Sequence, residues 1–181
     1  MIGMRTTAEN ITLKKGETMK LEGLAIVGSG SVELILQGKP IWVYPTRSTV
    51  GYELVFKELE SVFPKIRALD DTEITYIESS ELRRLYKENK RFKKSADKAI
   101  TLTIKALLKE VLTHSNTTFD IALKRLVESA RGTYCPVNIA QLCKEWGYSR
   151  NQFYKAVKKL KELGIYYKGH CLIKEEEEVK E

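Results

Sequence analysis

The chain has few of the side chains that carry out most enzyme chemistry, with only three cysteines and two histidines among 181 residues. It also lacks a Gly-rich phosphate loop and a nucleophile elbow, and its paired carboxylates, such as Asp70-Asp71, lie in turn contexts. An odd and sparse cysteine count gives no disulfide framework. The sequence therefore predicts a protein that is not an enzyme and is not built on disulfides.

Long hydrophobic runs are absent as well. No apolar segment approaches membrane-spanning length, and no signal-peptide pattern starts the chain. Apolar residues still make up 43% of the chain, which is enough for a folded core. We therefore expect a cytoplasmic protein of one large or two small domains that does not bind membranes.

Charge is distributed unevenly along the chain. Residues 1–78 carry a net charge of −2, residues 79–130 and 131–173 carry +6 each, and residues 174–181 carry −3. A local basic field attracts phosphate backbones, but a Lys-rich surface can also be merely well solvated. Charge alone does not decide whether the basic C-terminal half binds nucleic acid or is simply well solvated.

Residues 11–78 have the pattern of an all-β region. Short runs rich in β-branched and aromatic residues alternate with turn residues. The runs cover residues 24–27, 31–36, 41–44 and 73–77. Short strands at this spacing predict a small barrel or sandwich.

The pattern becomes helical from Ser79. We predict a short helix over residues 81–89, with Leu82 and Leu85 inside, and a longer helix over residues 93–113. The longer helix carries a heptad-like seam formed by Ile100, Ile104, Leu107 and Val111. The seam either packs on its own domain or faces a second copy in a homodimer. Residues 114–118 break the pattern and are predicted to be a hinge.

Three further helices and a hairpin follow. Thr118 is placed to cap a helix that runs to residue 130, with Phe119, Ala122, Leu123 and Leu126 inward, and residues 133–137 form a short strand. Asn138 and Ser149 each precede a Gln by three positions, which predicts two capping boxes opening two helices around Gly147-Tyr148. The second of these helices buries Phe153, Val157 and Leu160 and turns basic side chains outward.

Residues 165–167 and 171–173 predict a hairpin around Lys168-Gly169-His170. Two helices, a tight turn and a following hairpin are the layout of a winged helix-turn-helix. The acidic segment from Lys174 is predicted to be disordered.

The order β-roll, long central helix and winged helix-turn-helix resembles the Crp/Fnr family of bacterial transcription factors. The resemblance is strongest over residues 147–160, which look like the family's recognition helix, and moderate over residues 26–32, similar to its entry into the β-roll. It implies an α+β fold with four parts. These are a cyclic-nucleotide-binding-like β-roll (1–79), a connector with a dimerisation helix (80–116), a DNA-binding winged helix-turn-helix (117–174) and an acidic tail (175–181).

The resemblance also implies a function: a homodimer that reads a two-fold symmetric site on double-stranded DNA. A small-molecule effector, which the sequence does not identify, would set its DNA affinity. RNA polymerase is a further partner that the resemblance implies. Arg150 falls on the family's base-reading arginine, while Asn151 stands where the family usually has Glu. Because Arg prefers guanine and Asn prefers adenine, the half-site should keep one G and differ nearby. The predicted DNA-contact residues are Asn138, Ser149, Arg150, Asn151, Gln152, Tyr154, Lys155, Lys158, Lys159, Lys168 and His170.

The predicted sensor pocket departs from the family pattern. Gly51-Tyr52 stands in place of Gly-Glu, unless Glu53 serves through a one-residue shift, and Val62 stands where the family's phosphate-binding arginine belongs. A buried pocket needs that guanidinium to pair the phosphate charge. Lys65 or Arg67 could replace it, but a basic residue near a strand is more often a solvated surface charge. We therefore expect no control by cyclic AMP through the usual pocket, and Gly51, Tyr52, Glu53 and Lys65 remain the candidate effector residues.

No cofactor or metal is predicted. The first cysteine is Cys135, so the N-terminal cysteine cluster of iron–sulfur family members is missing, and neither histidine lies in the β-region as a haem ligand would. The hairpin strands can bring Cys135 near Cys171 and His170, but the spacing matches no zinc pattern. Cys143 falls on an apolar helix face.

A different class of function also fits this organisation. A dimeric small-molecule sensor or adaptor would use its winged helix to bind protein, since fold alone does not give function. Such a protein should show an apolar patch on the second helix and hairpin. Here basic side chains dominate that surface, which favours DNA.

Overall fold

The computed structural model describes residues 7–56, 64–113 and 118–175, with backbone alone over residues 106–113. Eight strands form the N-terminal half: β1 (Glu9–Leu13), β2 (Thr18–Lys20), β3 (Gly23–Ser29), β4 (Ser31–Leu36), β5 (Lys39–Pro45), β6 (Thr49–Val50), β7 (Lys65–Ala68) and β8 (Thr72–Glu78). A 3₁₀ turn, Tyr52–Val55, follows β6. The remaining elements are α1 (Ser79–Glu88), α2 (Lys90–Thr113), α3 (Phe119–Ser129), β9 (Thr133–Tyr134), α4 (Ile139–Trp146), α5 (Arg150–Leu160), a 3₁₀ turn (Lys161–Leu163), β10 (Ile165–Lys168) and β11 (Cys171–Lys174).

The N-terminal strands form two antiparallel four-stranded sheets, in the orders β1-β8-β3-β6 and β2-β7-β4-β5. All four predicted strand runs lie within observed strands, and β4 begins and ends where predicted. Inward side chains of both sheets share one apolar core, in which Leu24, Val32, Ile66 and Ile74 are nearly inaccessible to solvent. The predicted all-β region is therefore confirmed, and it closes as two sheets around a common core.

The helices α1 and α2 pack against this core. Leu82 and Leu85 of α1 are buried, as predicted. Helix α2 begins three residues before its predicted start because the side chain of Asn89 accepts a hydrogen bond from the Phe92 N–H at 3.0 Å and caps the helix. Ile100 still packs against the β-core, whereas every side chain from residue 101 to residue 105 is exposed. The part of α2 over residues 101–105 therefore projects from the rest of the described chain.

A second core lies among α3, α4, α5 and the β9–β11 sheet. The four inward residues predicted for α3 are buried, as are Phe153, Val157 and Leu160 of α5. Two residues of the N-terminal half, Val43 and Leu69, belong to this second core. The Val43 N–H also donates a hydrogen bond to the Ser129 hydroxyl at 2.9 Å. The two halves are therefore packed directly against each other.

Several predictions concern the C-terminal end and the connector. Lys174 belongs to β11, and the Glu175 N–H donates to the Gly164 carbonyl at 2.9 Å, so the predicted disordered segment cannot begin at Lys174. Residues 176–181 and residues 114–117 of the predicted hinge lie outside the described residues. Within the described ranges, no helix has the length and apolar character to cross a lipid bilayer.

Candidate nucleic-acid interface

The first helix of the candidate interface, α4, begins at an asparagine cap. The Asn138 side-chain oxygen accepts from the Ala140 and Gln141 N–H groups at 2.8 and 3.2 Å. The predicted capping box is wrong in its second half, because the Gln141 amide donates to Glu145 at 2.9 Å. Gly147 ends the helix with φ +73°, a backbone conformation that favours glycine.

The second helix, α5, begins with the predicted capping box. The Ser149 hydroxyl accepts from the Gln152 N–H at 3.3 Å, and the Gln152 side-chain oxygen accepts from the Ser149 N–H at 2.8 Å. Both side chains are therefore already engaged at the helix start. These two bonds fix the first residue of α5, and the helical period then decides which side chains lie on its outer face.

The outer face of α5 presents a polar and basic surface to solvent. We call it the basic helix face, and it consists of Arg150, Asn151, Tyr154, Lys155 and Lys158, all of them exposed. The opposite face is buried in the second core. Packing therefore fixes the helix while leaving these donors, and the 55%-exposed ring of Tyr154, available to a partner.

Three aromatic rings connect the basic helix face to the hairpin. Tyr154 meets Phe153 and Tyr167 edge-on, with centroids 5.5 and 6.3 Å apart, and Phe153 meets Tyr167 at 5.5 Å. Edge-to-face pairs at these distances are favourable beyond the area they bury. The hairpin is thereby held in a set position beside α5.

The hairpin β10–β11 closes with a two-residue turn. Gly169 and His170 have φ +55° and +68°, the pair of positive values that a type I′ turn requires. The His170 Nδ1 lies 3.4 Å from the Tyr167 hydroxyl. Lys168 is exposed but pairs with Glu175 at 2.7 Å, so its ammonium would have to exchange partners to hold a phosphate.

Lys159 differs from the other predicted contact lysines. It is exposed, but its ammonium lies 3.7 Å from the carboxylate of Asp120 at the start of α3. The ammonium is thus drawn towards α3. The structure therefore gathers Arg150, Asn151, Tyr154, Lys155 and Lys158 on one face, with Lys168 and His170 on the adjacent hairpin.

The sequence predicts no disulfide framework, but the two cysteines that the hairpin strands are expected to bring together do form one disulfide. Cys135 and Cys171 are bonded, with their sulfurs 2.00 Å apart. They are directly opposed because Leu172 pairs with Tyr134 in the antiparallel register, which places the next residues in each direction face to face. The bond ties the hairpin, one residue from its tip, to the segment that precedes α4.

Cys143 is the remaining cysteine, and it is buried beside Leu142 as predicted. Burial raises the pKa of its thiol. It therefore behaves as a small apolar residue. In the described ranges, His, Cys, Asp and Glu form no group that could hold a metal ion.

The candidate effector residues lie on two elements, with Gly51, Tyr52 and Glu53 at the 3₁₀ turn after β6 and Lys65 at the start of β7. Gly51 is buried with φ +100°, and a side chain there would meet the Gly23 carbonyl, so glycine is required for packing. Tyr52 stacks at an angle on Phe92, and burial raises the pKa of the Glu53 carboxyl. Lys65 is exposed on β7, in the other sheet. Val62 lies outside the described residues.

Arg67 is the largest departure from expectation: its side chain is 6% exposed rather than solvated. Its Nε donates to Glu33 Oε1 at 2.5 Å, and its two terminal nitrogens donate to both oxygens of Glu145 at 2.6 and 2.9 Å. The other oxygen of Glu33 accepts from the Tyr134 hydroxyl at 2.9 Å. We call Glu33, Arg67, Tyr134 and Glu145 the interdomain ion cluster.

Burial and pairing shift the pKa values within this cluster. Burial raises the pKa of Glu33, although Arg67 and the Tyr134 hydroxyl act in the opposite direction. Burial would lower the pKa of Arg67, but its bonds to Glu145 and the charge of Glu33 raise it instead. The Tyr134 pKa is raised, chiefly by burial. Arg67 and Tyr134 therefore keep their protons, and the guanidinium is fully committed to two carboxylates.

Sequence reasoning missed the roles of Glu33, Tyr134 and Glu145. One signal was available, because Glu33 stands alone in the apolar run of β4, and a charge on a buried strand needs a partner. The identity of that partner depends on the register that places Glu33 opposite Arg67.

The structure describes the side chains of only two of the four predicted dimer-seam residues. Ile100 is partly buried against its own β-core, and Ile104 is 50% exposed on the projecting part of α2, as is the nearby Leu102 at 58%. The side chains of Leu107 and Val111 lie outside the described residues.

Comparison with known proteins supports the fold but gives no close relative. No family model matches the chain, and no curated protein matches it. Among solved structures, the c-di-GMP responsive global regulator CLP of Xanthomonas campestris has a TM-score of 0.65 and 15% identity, over 93% of this chain and 94% of its own. FixK2 from Bradyrhizobium japonicum has a TM-score of 0.64 and 14% identity, over 94% and 93%.

A protein from Eubacterium rectale assigned to the Crp/Fnr family of transcriptional regulators also has a TM-score of 0.64, at 12% identity over 94% of this chain and 87% of its own. Each of these likenesses extends over both halves of the chain. The fold described above is thus shared with these solved structures along almost the whole length of the chain. The chain has the fold of the Crp/Fnr family.

Proposed function

We propose that this protein is a sequence-specific DNA-binding transcriptional regulator. It acts as a homodimer on a palindromic site through a winged helix-turn-helix made of α4, α5 and the β10–β11 hairpin. The basic helix face is the observation that carries the proposal. A helix whose start is fixed by a capping box and whose outer side offers an arginine, an asparagine and lysines can place its donors in a major groove.

Roles within the interface follow from side-chain chemistry. Arg150 donates to guanine O6 and N7, and Asn151 pairs with adenine N6 and N7 one position away. Lys155, Lys158 and Lys159 hold phosphates, with Lys168 and His170 at the hairpin tip, and the α4 N-terminus at Asn138 adds backbone N–H groups. Ser149 and Gln152 act mainly through the capping box.

The dimer forms along α2, whose projecting part exposes Leu102 and Ile104. Two recognition helices related by a two-fold axis then enter successive major grooves, roughly 34 Å apart. Residues 1–79 form the β-roll, 80–116 the connector, 117–174 the DNA-binding part and 175–181 an acidic tail.

The usual cyclic-nucleotide pocket does not control this protein. Lys65 lies exposed on the other sheet, and the guanidinium of Arg67 already holds Glu33 and Glu145. Arg67 therefore has no terminal nitrogen left to pair a cyclic phosphate, and an exposed lysine does not supply the buried two-point pairing of an arginine. DNA binding should therefore not require cyclic AMP.

Selection of bound duplexes from a random DNA library tests the proposal. The purified protein is used without nucleotide, and the same selection is repeated with cyclic AMP and with cell extract. We expect a two-fold symmetric site that is recovered equally with and without cyclic AMP. If none of the three conditions enriches a sequence, the DNA-binding function is wrong, and an adaptor that binds protein becomes the better explanation.

A further inference from the structure

We propose that the pair formed by Arg67 and Glu145 is a positioning device that fixes the recognition helix relative to the β-roll, and so sets the half-site spacing that the dimer accepts. The inference rests on the proposed function. It assigns to two residues outside the DNA interface a role in which DNA sites are bound.

The geometry of the pair restrains orientation as well as distance. Both terminal nitrogens of Arg67 engage both oxygens of Glu145, and such a two-point pair between planar groups fixes the angle between them. The Nε of Arg67 also donates a hydrogen bond to Glu33 of β4, which fixes the base of the guanidinium. Glu145 is held on its own helix by the Gln141 amide. Neither partner is therefore free to swing.

The pair lies where the two halves of the chain meet. Arg67 belongs to β7 of the roll, and Glu145 lies in the last turn of α4, two residues before the turn that leads to α5. Tyr134 adds a second link, because this C-terminal residue donates to Glu33 of the roll. Val43 and Leu69 of the N-terminal half add apolar contacts to the C-terminal core. A movement of α4 on the roll must therefore break charged bonds in a buried site.

We call the Arg67–Glu145 pair the interdomain joint, and such a joint has a specific effect on DNA binding. Base preference within one half-site depends on the basic helix face, which lies outside the interdomain ion cluster. The separation and relative rotation of two half-sites depend on how each recognition helix is held relative to α2, along which the dimer forms, and to the roll on which α2 packs. Loosening the joint should thus widen the accepted spacings without changing the bases read in each half-site.

The test is a selection from libraries in which the half-site is kept and the spacer between half-sites varies. Glu145→Gln removes the charge at nearly constant size, and Arg67→Lys keeps the charge but loses the two-point geometry. Arg84→Gln is the matched control, because Arg84 also forms two ion pairs, with Glu81 and Glu88, but within α1 and partly in solvent. Thermal unfolding checks that each variant is folded, and Glu145→Gln is the milder of the two.

We expect wild type and Arg84→Gln to favour one spacer, and both joint variants to reduce the penalty for one added or removed base pair several-fold. The half-site sequence should stay the same. Retention of the wild-type spacer preference by folded Glu145→Gln and Arg67→Lys proteins would overturn the proposal.

A second readout does not depend on DNA. Spin labels introduced as unnatural amino acids at exposed Thr12 and Lys161 report the distance between the two halves. The distribution should be narrow in wild type and Arg84→Gln and broader in Glu145→Gln. If wild type selects no DNA site, the proposed function fails and this distribution alone decides whether the joint exists. An unchanged width would count against it.

Discussion

Glu33 and Arg67 face each other across β4 and β7, and the carboxylate of Glu33 is completely buried. The two side chains form an ion pair, and the residues next to them on both strands turn apolar side chains into the core. Arg67 also bonds to Glu145, so a cross-strand pair of the N-terminal sheets is at the same time a charged link to the C-terminal half.

Arg67→Met should strongly destabilise the protein. The substitution leaves Glu33 buried without its counter-charge, and breaking a buried pair in this way typically costs about 3–5 kcal/mol. Urea unfolding followed by circular dichroism measures the loss. The double variant Glu33→Gln/Arg67→Met should recover much of it, since the fully buried carboxylate is gone. The remaining partner, Glu145, is 17% exposed and still accepts from the Gln141 amide. A single variant as stable as wild type would mean that water reaches Glu33.

Arg150→Ala should weaken DNA binding at one base pair of each half-site. The lost contact is a two-point hydrogen bond to guanine, and its removal should cost about 1–3 kcal/mol and relax the preference at that position. Titration of the selected site and of its single-base variants measures both effects.

Lys168→Ala is the matched control for Arg150→Ala, since it also removes one positive charge from the proposed interface. It should weaken all sequences alike and flatten the dependence of log affinity on log salt concentration by about one unit. If Arg150→Ala also weakened every sequence equally, its base-reading role would be wrong.

Reduction of the Cys135–Cys171 bond should destabilise the C-terminal half. The bond closes a segment with a sequence separation of 36, for which the chain-entropy model gives roughly 3–4 kcal/mol. Denaturant unfolding with and without a thiol reductant measures the difference. Cys135→Ala/Cys171→Ala should resemble the reduced wild type and show no response to the reductant. A response that persisted in this double variant would place the effect elsewhere.

The Asp71 carboxyl should titrate below its ordinary range. The Lys14 ammonium donates to it at 2.9 Å, and the Lys15 N–H donates at 3.1 Å, which lowers its pKa. An acid with a lowered pKa in the folded state adds stability above its unfolded pKa, and this contribution is lost as the pH falls through the folded pKa. NMR titration of the carboxyl carbon reads the midpoint directly. Lys14→Met should raise that midpoint, and an unchanged value would show that the bond does not persist in solution.

Local patterns were sufficient to predict most elements. Strand β4 and the capping box at Ser149 and Gln152 depend on residues within a few positions of each other, so both can be predicted from short stretches of sequence. The early start of α2 at Asn89 is a local feature of the same kind.

Long-range pairings could not be predicted from such patterns. Arg67 lies 34 positions from Glu33 and 78 positions from Glu145, and its burial results from sheet register together with the packing of one half on the other. The disulfide has the same origin, because Cys135 and Cys171 become opposed only once β9 and β11 pair. The sequence pattern indicated that Cys135 and Cys171 could lie near each other, but it showed neither the register that opposes them nor the packing that buries Arg67.

The presence of Val43 and Leu69 in the C-terminal core bears on folding cooperativity. A fragment that begins after α2 would lack part of its own core and would expose Tyr134, which is fully buried in the intact chain. We therefore expect both halves to unfold in one transition, rather than as two units that melt independently. Substitutions deep in the N-terminal core should then lower the thermal midpoint of α5 as well.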